Sequence, residues 1–262
     1  SLSAIDAAMA VATQHGDFVQ RGEDLIYETD TRGQLMITMM SWSGILPEAD
    51  FYCPIPYEPL VKMTPQALEA ATAGEHKFEA VFELFKSEIH VADENWSKKI
   101  GLLSLKPEEF ERSYFHDRET NDSFRWAREN LREAIKNHQK KETVKWRYAI
   151  LRMHEAVEKI VSLFDDNERE RFDNTLKKVF VDNYAAVPPE SIKRLLALRD
   201  AGVLKLMALG DDYELQNQDD HVMIFANGRK NKFNIFIDAR GQRPMTSEDV
   251  PFASLREALM SK

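Results

Sequence analysis

From Leu102 to Ala201 the chain carries no glycine, and Pro107, Pro188 and Pro189 are its only prolines there. A stretch this long without helix-breaking residues points strongly to helix. Within it, apolar side chains recur at steps of three and four: Phe124, Ala127, Leu131 and Ile135, then Ile150, His154, Val157, Val161 and Phe164, then Phe172, Leu176, Val179 and Phe180. Each set makes one buried stripe per helix. Helix starts are marked at Thr64-Pro65, at Lys106-Pro107 with Glu108 and Glu109, at Asp165 or Asp166, and at Pro188-Pro189-Glu190. The pattern predicts about six helices between Thr64 and Ala201, packed as an all-α bundle.

The flanking zones read differently. A short helix from Ser3 to Gln14 stops at His15-Gly16, and strand-like runs follow at Asp24–Thr29 and Gln34–Ser41, with Thr31-Arg32-Gly33 as a turn between them. Pro47, Pro54, Pro56 and Pro59 then interrupt regular pairing. After the helical zone, Val203–Leu209, Tyr213–Gln218, His221–Ala226 and Lys232–Asp238 are short β-rich runs separated by Gly210-Asp211-Asp212, Asp219-Asp220 and Asn227-Gly228. A last amphipathic helix is expected over Ser254–Met260. The fold class is therefore α/β, with mixed α and β elements: residues 1–62 and 202–262 form one α/β unit, residues 63–201 are an all-helical insertion, and the chain ends in a small β-meander.

Charge narrows the partners. The 262 residues carry a formal net charge of -9, which opposes a grip on phosphate backbones by clustered Lys and Arg. No nucleic acid is expected. No apolar run approaches a membrane span and no basic leader opens the chain, so no membrane association and a cytoplasmic location are expected. The single cysteine, Cys53, leaves no internal disulfide and no cysteine-based zinc site; between Tyr52 and Pro54 it reads as a packing residue. His15, His76, His90, His116, His138 and His221 fall at no ligand spacing, and His154 with Glu155 lacks the second histidine of a metalloprotease helix.

The small-residue opening Ser1-Leu-Ser-Ala-Ile-Asp6-Ala suits a helix set close against a sheet, where a dinucleotide-binding βα unit has its glycine turn. Together with Ser41-Trp42-Ser43-Gly44-Ile45-Leu46-Pro47, with Glu168-Arg-Glu-Arg-Phe172, with Pro188-Pro189-Glu-Ser-Ile-Lys-Arg and Gly202-Val-Leu-Lys-Leu, and with Phe233-Asn-Ile-Phe-Ile-Asp238-Ala-Arg-Gly-Gln242, it resembles, in family order, a bacterial family of FAD/NAD(P)-binding flavoprotein-like oxidoreductases. The resemblance implies a partial dinucleotide-binding scaffold. It implies FAD and NAD(P) as cofactors of the longer protein, a nucleotide cofactor and a small-molecule substrate as partners, and a helical lid over the active site. The glycine-rich loop for the FAD pyrophosphate is expected upstream of Ser1, and the further strand that contacts the flavin ring beyond Lys262. Trp42 stands where the family turn often has Arg, which favours NAD over NADP.

Cofactor-binding candidates follow from the same places. Ser1, Ser3 and Asp6 stand at a helix N-terminus, where hydroxyls bond phosphate oxygens. Ser41 and Gly44 belong to the family turn. Asp238, Arg240 and Gly241 follow a predicted strand, where Arg240 would face an anionic group and Gly241 would allow close backbone approach. No acid, base or nucleophile is nominated. The bland readings are an N-cap, a core histidine, and a turn with a surface arginine. The alternating charges of Asp117–Lys145, such as Arg125 with Glu129 and Arg128 with Arg132, read as a solvated helix face, and Trp96, Trp126 and Trp146 as bundle core. The competing function is a non-enzymatic module that docks a protein partner on the helical zone.

Overall fold

The computed structural model describes residues 2–29, 34–240, 251–254 and 256. It is a mixed α/β protein. Helix α1 (Leu2–Thr13) leads into an antiparallel hairpin, β1 (Gly16–Arg21) and β2 (Asp24–Thr29), and the Tyr27 hydroxyl of β2 donates to the Ala12 carbonyl at 2.8 Å. Strand β3 (Ile37–Ser41) pairs in parallel with β4 (Leu204–Ala208), although the whole helical zone lies between them in sequence. Strands β5 (Glu214–Asn217), β6 (Val222–Ala226) and β7 (Arg229–Phe233) form an antiparallel meander.

The helical zone runs α2 (Pro65–Thr72), α3 (Lys77–Ala92), α4 (Glu94–Ile100), α5 (Pro107–Thr120), α6 (Ser123–Lys140), α7 (Lys145–Glu158), α8 (Asp166–Asn174), α9 (Leu176–Tyr184) and α10 (Pro189–Asp200). Three of the four marked starts carry capping hydrogen bonds, and at the fourth Pro189 opens α10 with no side-chain cap. Thr64 accepts from the Ala67 amide, Asp165 and Glu168 form a reciprocal capping box, and the Glu109 carboxylate accepts from the Lys106 amide. There are more helices than the six or so predicted, because several breaks fall at residues other than glycine or proline: His76 and Lys141 adopt left-handed backbone, Asp93 ends α3 and caps α4, and Thr175 parts α8 from α9.

Two hydrophobic cores result among the described residues. The first gathers Phe78, Phe82, Phe85 and Ile89 of α3 with Phe110, Ile150, Met153, Leu176 and Phe180. The second joins Ile5 and Ala12 of α1, Tyr27, Leu46 and Ala49 with Phe124, Ala127 and Leu131 of α6, and with Ile192, Leu195 and Leu198 of α10. Helices α6 and α10 thus pack with the α/β elements. Trp96 and Trp146 stack on each other at 4.3 Å against the first core, whereas Trp126 turns to Glu48.

Three sequence expectations are corrected. Strand β1 is an additional element. The predicted strand Lys232–Asp238 is displaced to Arg229–Phe233, because the Asn227-Gly228 turn fixes the register and β6 runs out at Val222, the partner of Phe233. Residues 234–240 have no ladder partner among the described residues, and Ile235 and Ile237 are exposed. Strands β2 and β3, which follow one another across the expected 31–33 turn, pair with β1 and β4 and not with each other. The Thr31-Arg32-Gly33 turn and nearly all of the C-terminal helix lie outside the described residues. No helix among the described residues is long and apolar enough to cross a membrane.

Candidate functional site

Open α/β sheets bind ligands beyond the carboxyl ends of parallel strands, and β3 and β4 end together, Ser41 opposite Ala208. The ladder continues past them: Leu209 N–H donates to Ser41 O at 2.9 Å and Gly210 N–H to Trp42 O at 3.0 Å. The chain then turns back through Gly44, whose N–H donates to Ser41 Oγ at 3.0 Å. Gly44 has φ of 71°, and a Cβ there would stand 2.9 Å from the Ala208 nitrogen. Only glycine fits without moving β4.

Side chains close the edge. Trp42, 56% exposed, donates its indole N–H to Asp211 Oδ1 at 2.6 Å, with the Lys178 ammonium 5.9 Å from its ring centre. Asn227 Nδ2 donates to the Ala208 carbonyl at 2.9 Å, and Ser123 Oγ to the Gly44 carbonyl at 3.1 Å. The result is a turn fixed by hydrogen bonds, with an exposed indole beside a cation.

Of the residues nominated from sequence, Ser41 and Gly44 share this turn. The Arg240 guanidinium is taken by Asp238, with Nη2 to Oδ2 at 2.7 Å, and reaches the Tyr213 hydroxyl at 3.3 Å. Hydrogen bonding from Arg240 holds the exposed Asp238 carboxyl down to about 2. Tyr213 follows Asp211 in the same loop, so this pair is tethered to the loop that anchors Trp42. Arg240 does not follow a strand end, contrary to expectation. Ser3 and Asp6 are exposed on α1 and have no side-chain partner among the described residues. Ser1 and Gly241 lie outside the described residues. Cys53 is half-buried, and its thiol is pushed up by burial and by the charge of Asp50, as suits a packing residue. Among the described residues no group of three His, Cys, Asp or Glu side chains is placed to hold a metal.

What sequence reading missed lies behind the turn. The helices hold segment Gly44–Asp50 bond by bond. Arg118 of α5 donates to Leu46 O at 2.7 Å and pairs with Asp182 at 2.5 Å, where Tyr114 also donates. Arg147 of α7 pairs with Glu48 at 2.9 Å, Trp126 donates to the same carboxylate at 3.1 Å, and Asn130 accepts from the Ala49 amide at 2.7 Å. Val187, entering α10, exchanges backbone bonds with Glu48 and Asp50. Burial alone would raise the Glu48 carboxyl, but the Arg147 and Arg118 charges outweigh it and the net displacement is downward. Burial likewise opposes the charge on Arg118, yet Asp182 and Glu48 raise it overall. Burial and the Asp182 charge push Tyr114 well above the ordinary tyrosine value, so it stays a donor. One signal was available: Arg118 continues the four-residue step Phe110–Tyr114 and so sits in core phase.

Alanine at Gly44 is expected to destabilise the protein by about 2–3 kcal/mol, combining left-handed backbone strain with displacement of Ala208. Urea unfolding checks the loss. Quenching of Trp42 fluorescence by acrylamide, which should increase in the variant, checks that the turn has shifted.

Residues 64–184 match the YdhS-like middle domain. That match opens at Thr64, the cap of α2, and closes at Tyr184, the end of α9, so it takes in the helices of the first core together with α6. The whole chain is 48% identical over 263 residues to the uncharacterized protein YdhS of Escherichia coli (strain K12), covering 99% of this chain and 49% of that protein. The chain therefore spans about half the length of the curated relative it matches.

Proposed function

We propose that this chain is the part of an FAD- and NAD(P)-dependent oxidoreductase that supplies the nicotinamide-side scaffold and a helical lid. The observation carrying this reading is the β3–β4 pair. Parallel sheets are covered on both faces, and an isolated pair of strands is marginal. Here Leu204 is buried in the second core with half-buried Ile37, Met39 and Leu206 packed against it, and on the other face Met40 and Met207 are half-buried too. Among the described residues neither strand has a second neighbour. Such a pair suits a fragment of a wider, dinucleotide-binding sheet, whose other strands would belong to the half of a YdhS-length protein that this chain does not span.

The described residues do not form a phosphate cradle. Gly44 packs on Ala208, a Cβ at Gly210 would meet Asn227, and the Arg240 guanidinium is engaged by Asp238. In this reading the flavin pyrophosphate is held by residues outside the described set. The flavin carries the redox chemistry, and this chain's Ser41, Trp42 and Gly44 shape the edge against which a nicotinamide nucleotide is set. Trp42, standing where the family turn often has Arg, favours NAD, and a cytoplasmic location fits a soluble cofactor.

The test is the absorption spectrum of the YdhS-length protein that contains this chain, purified gently, with its released small molecules identified by mass. A yellow protein releasing FAD, beside a colourless 262-residue chain, is the expected result. A colourless YdhS-length protein releasing no flavin would overturn the reading and favour the helical partner-binding module.

A further inference from the structure

Between the N-terminal half of α6 and the last turn of α10 lies a concavity of about 380 Å³ lined by four arginines. Three of them, Arg125, Arg128 and Arg132, follow at steps of three and four and share one face of α6. Arg199 comes from α10. In a chain of net charge -9 such a cluster is a local exception.

Internal pairing leaves two of these cations over. Arg125 Nε bonds Glu129 Oε1 at 3.1 Å, and Arg128 Nη2 bonds Asp200 Oδ1 at 2.8 Å. The third lining carboxylate, Asp122, caps α6 through the Arg125 amide at 2.8 Å. The Arg199 guanidinium lies 4.9 Å from the Phe124 ring centre and pairs with no carboxylate among the described residues, and Arg132 has no partner among them. Stacking on Phe124 restricts one guanidinium plane while leaving its N–H edge available.

We propose that this concavity is a binding site for a phosphate monoester, clamped by Arg132 and Arg199. The four guanidiniums outnumber the three lining carboxylates by one, and the two without a carboxylate partner, Arg132 and Arg199, can both donate to one anion that has several oxygens. The guanidinium fork also matches phosphate oxygens in pairs. The site adjoins the carboxyl-edge turn, since Phe124 lines it and the preceding Ser123 bonds the Gly44 carbonyl. It does not depend on the flavin reading, because its ligand is tested without any flavin.

Isothermal titration of the 262-residue chain at low ionic strength, with inorganic phosphate and with adenosine 2'-phosphate, tests the proposal against chloride and adenosine at matched ionic strength. Saturable binding of phosphate is expected, weakened about tenfold or more by Arg132→Gln and by Arg199→Gln, since each removes a charge-assisted hydrogen bond. Lys136→Gln, on the same helix outside the concavity, should leave it unchanged, and far-ultraviolet circular dichroism should be the same for all three. Tighter binding of adenosine 2'-phosphate would identify a nucleotide as the source of the phosphate. Equal binding would identify the free phosphate group. Absence of saturable binding, or binding that neither arginine variant weakens, would overturn the proposal.

Discussion

Alanine at Arg147 is expected to destabilise the protein by about 3–5 kcal/mol, the usual range when one partner of a buried ion pair is removed and the other stays. Arg147 and Glu48 are both buried, and truncation would leave the carboxylate with the Trp126 N–H and the more distant Arg118 charge. The guanidinium also lies 4.5 Å from the Phe51 ring centre, and truncation removes that cation–π attraction as well. The pair itself is incompletely served, since Arg147 Nε and Nη2 have no protein partner among the described residues. The double variant Glu48→Gln with Arg147→Met, which keeps an acceptor for Trp126 and removes both charges, should therefore recover more than half of the loss. Urea unfolding of the two single variants and the double measures this, and a double variant no better than Arg147→Ala would refute it. Acid acts on the same pair. The folded Glu48 carboxyl lies below its ordinary value, so its stabilisation is complete above the unfolded carboxylate range and is lost as pH falls through the folded value. Below about pH 4 the stability of Glu48→Gln should fall less steeply than that of the parent protein.

How far the sequence reveals this arrangement depends on the range of each interaction. Thr64-Pro65 and Asp165 with Glu168 announce their helices because a cap is satisfied within four residues. The stripe Phe124, Ala127, Leu131 is legible as one face, but nothing local says that it faces α1 and α10 and not the bundle. His76 and Lys141 turn the chain in a backbone region that glycine would have advertised, so these breaks carry no local signal. Ile235 to Ile237 are β-rich by composition, yet their strand ends at Phe233 because pairing needs a neighbour and β6 supplies none. At the candidate site the Ser41–Gly44 turn is legible from its residues. The β3–β4 pairing that gives the turn a place is a contact across the whole helical zone. Glu48 with Arg147 is harder still, because a charged residue after Pro47 reads as surface until its partners are known.

The two cores are expected to unfold as one, and Phe85→Ala is the variant that decides it. Phe85 is 0% exposed, with its ring centre 5.9 Å from that of Phe82, 5.2 Å from Phe110 and 5.7 Å from Phe180, so α3, α5 and α9 meet on it. Removing the ring opens a cavity that three rigid helices cannot close, and the expected loss is about 3–5 kcal/mol. The second core contains no part of that cavity. It is nonetheless tied to the first by Arg118 on Leu46 and Arg147 on Glu48, and opening either core strands these buried charges in the other. Amides of α10 and β2 should therefore lose as much native-state hydrogen-exchange protection in Phe85→Ala as amides of α3 do. Protection retained in α10 and β2 while α3 exchanges freely would instead make the helical core a separate unit, and the charged straps would then be fastenings between two independent bodies. A shared loss places the polar network where it has most effect: it makes the turn at Gly44 as stable as the whole protein, which is what a rigid ligand edge requires.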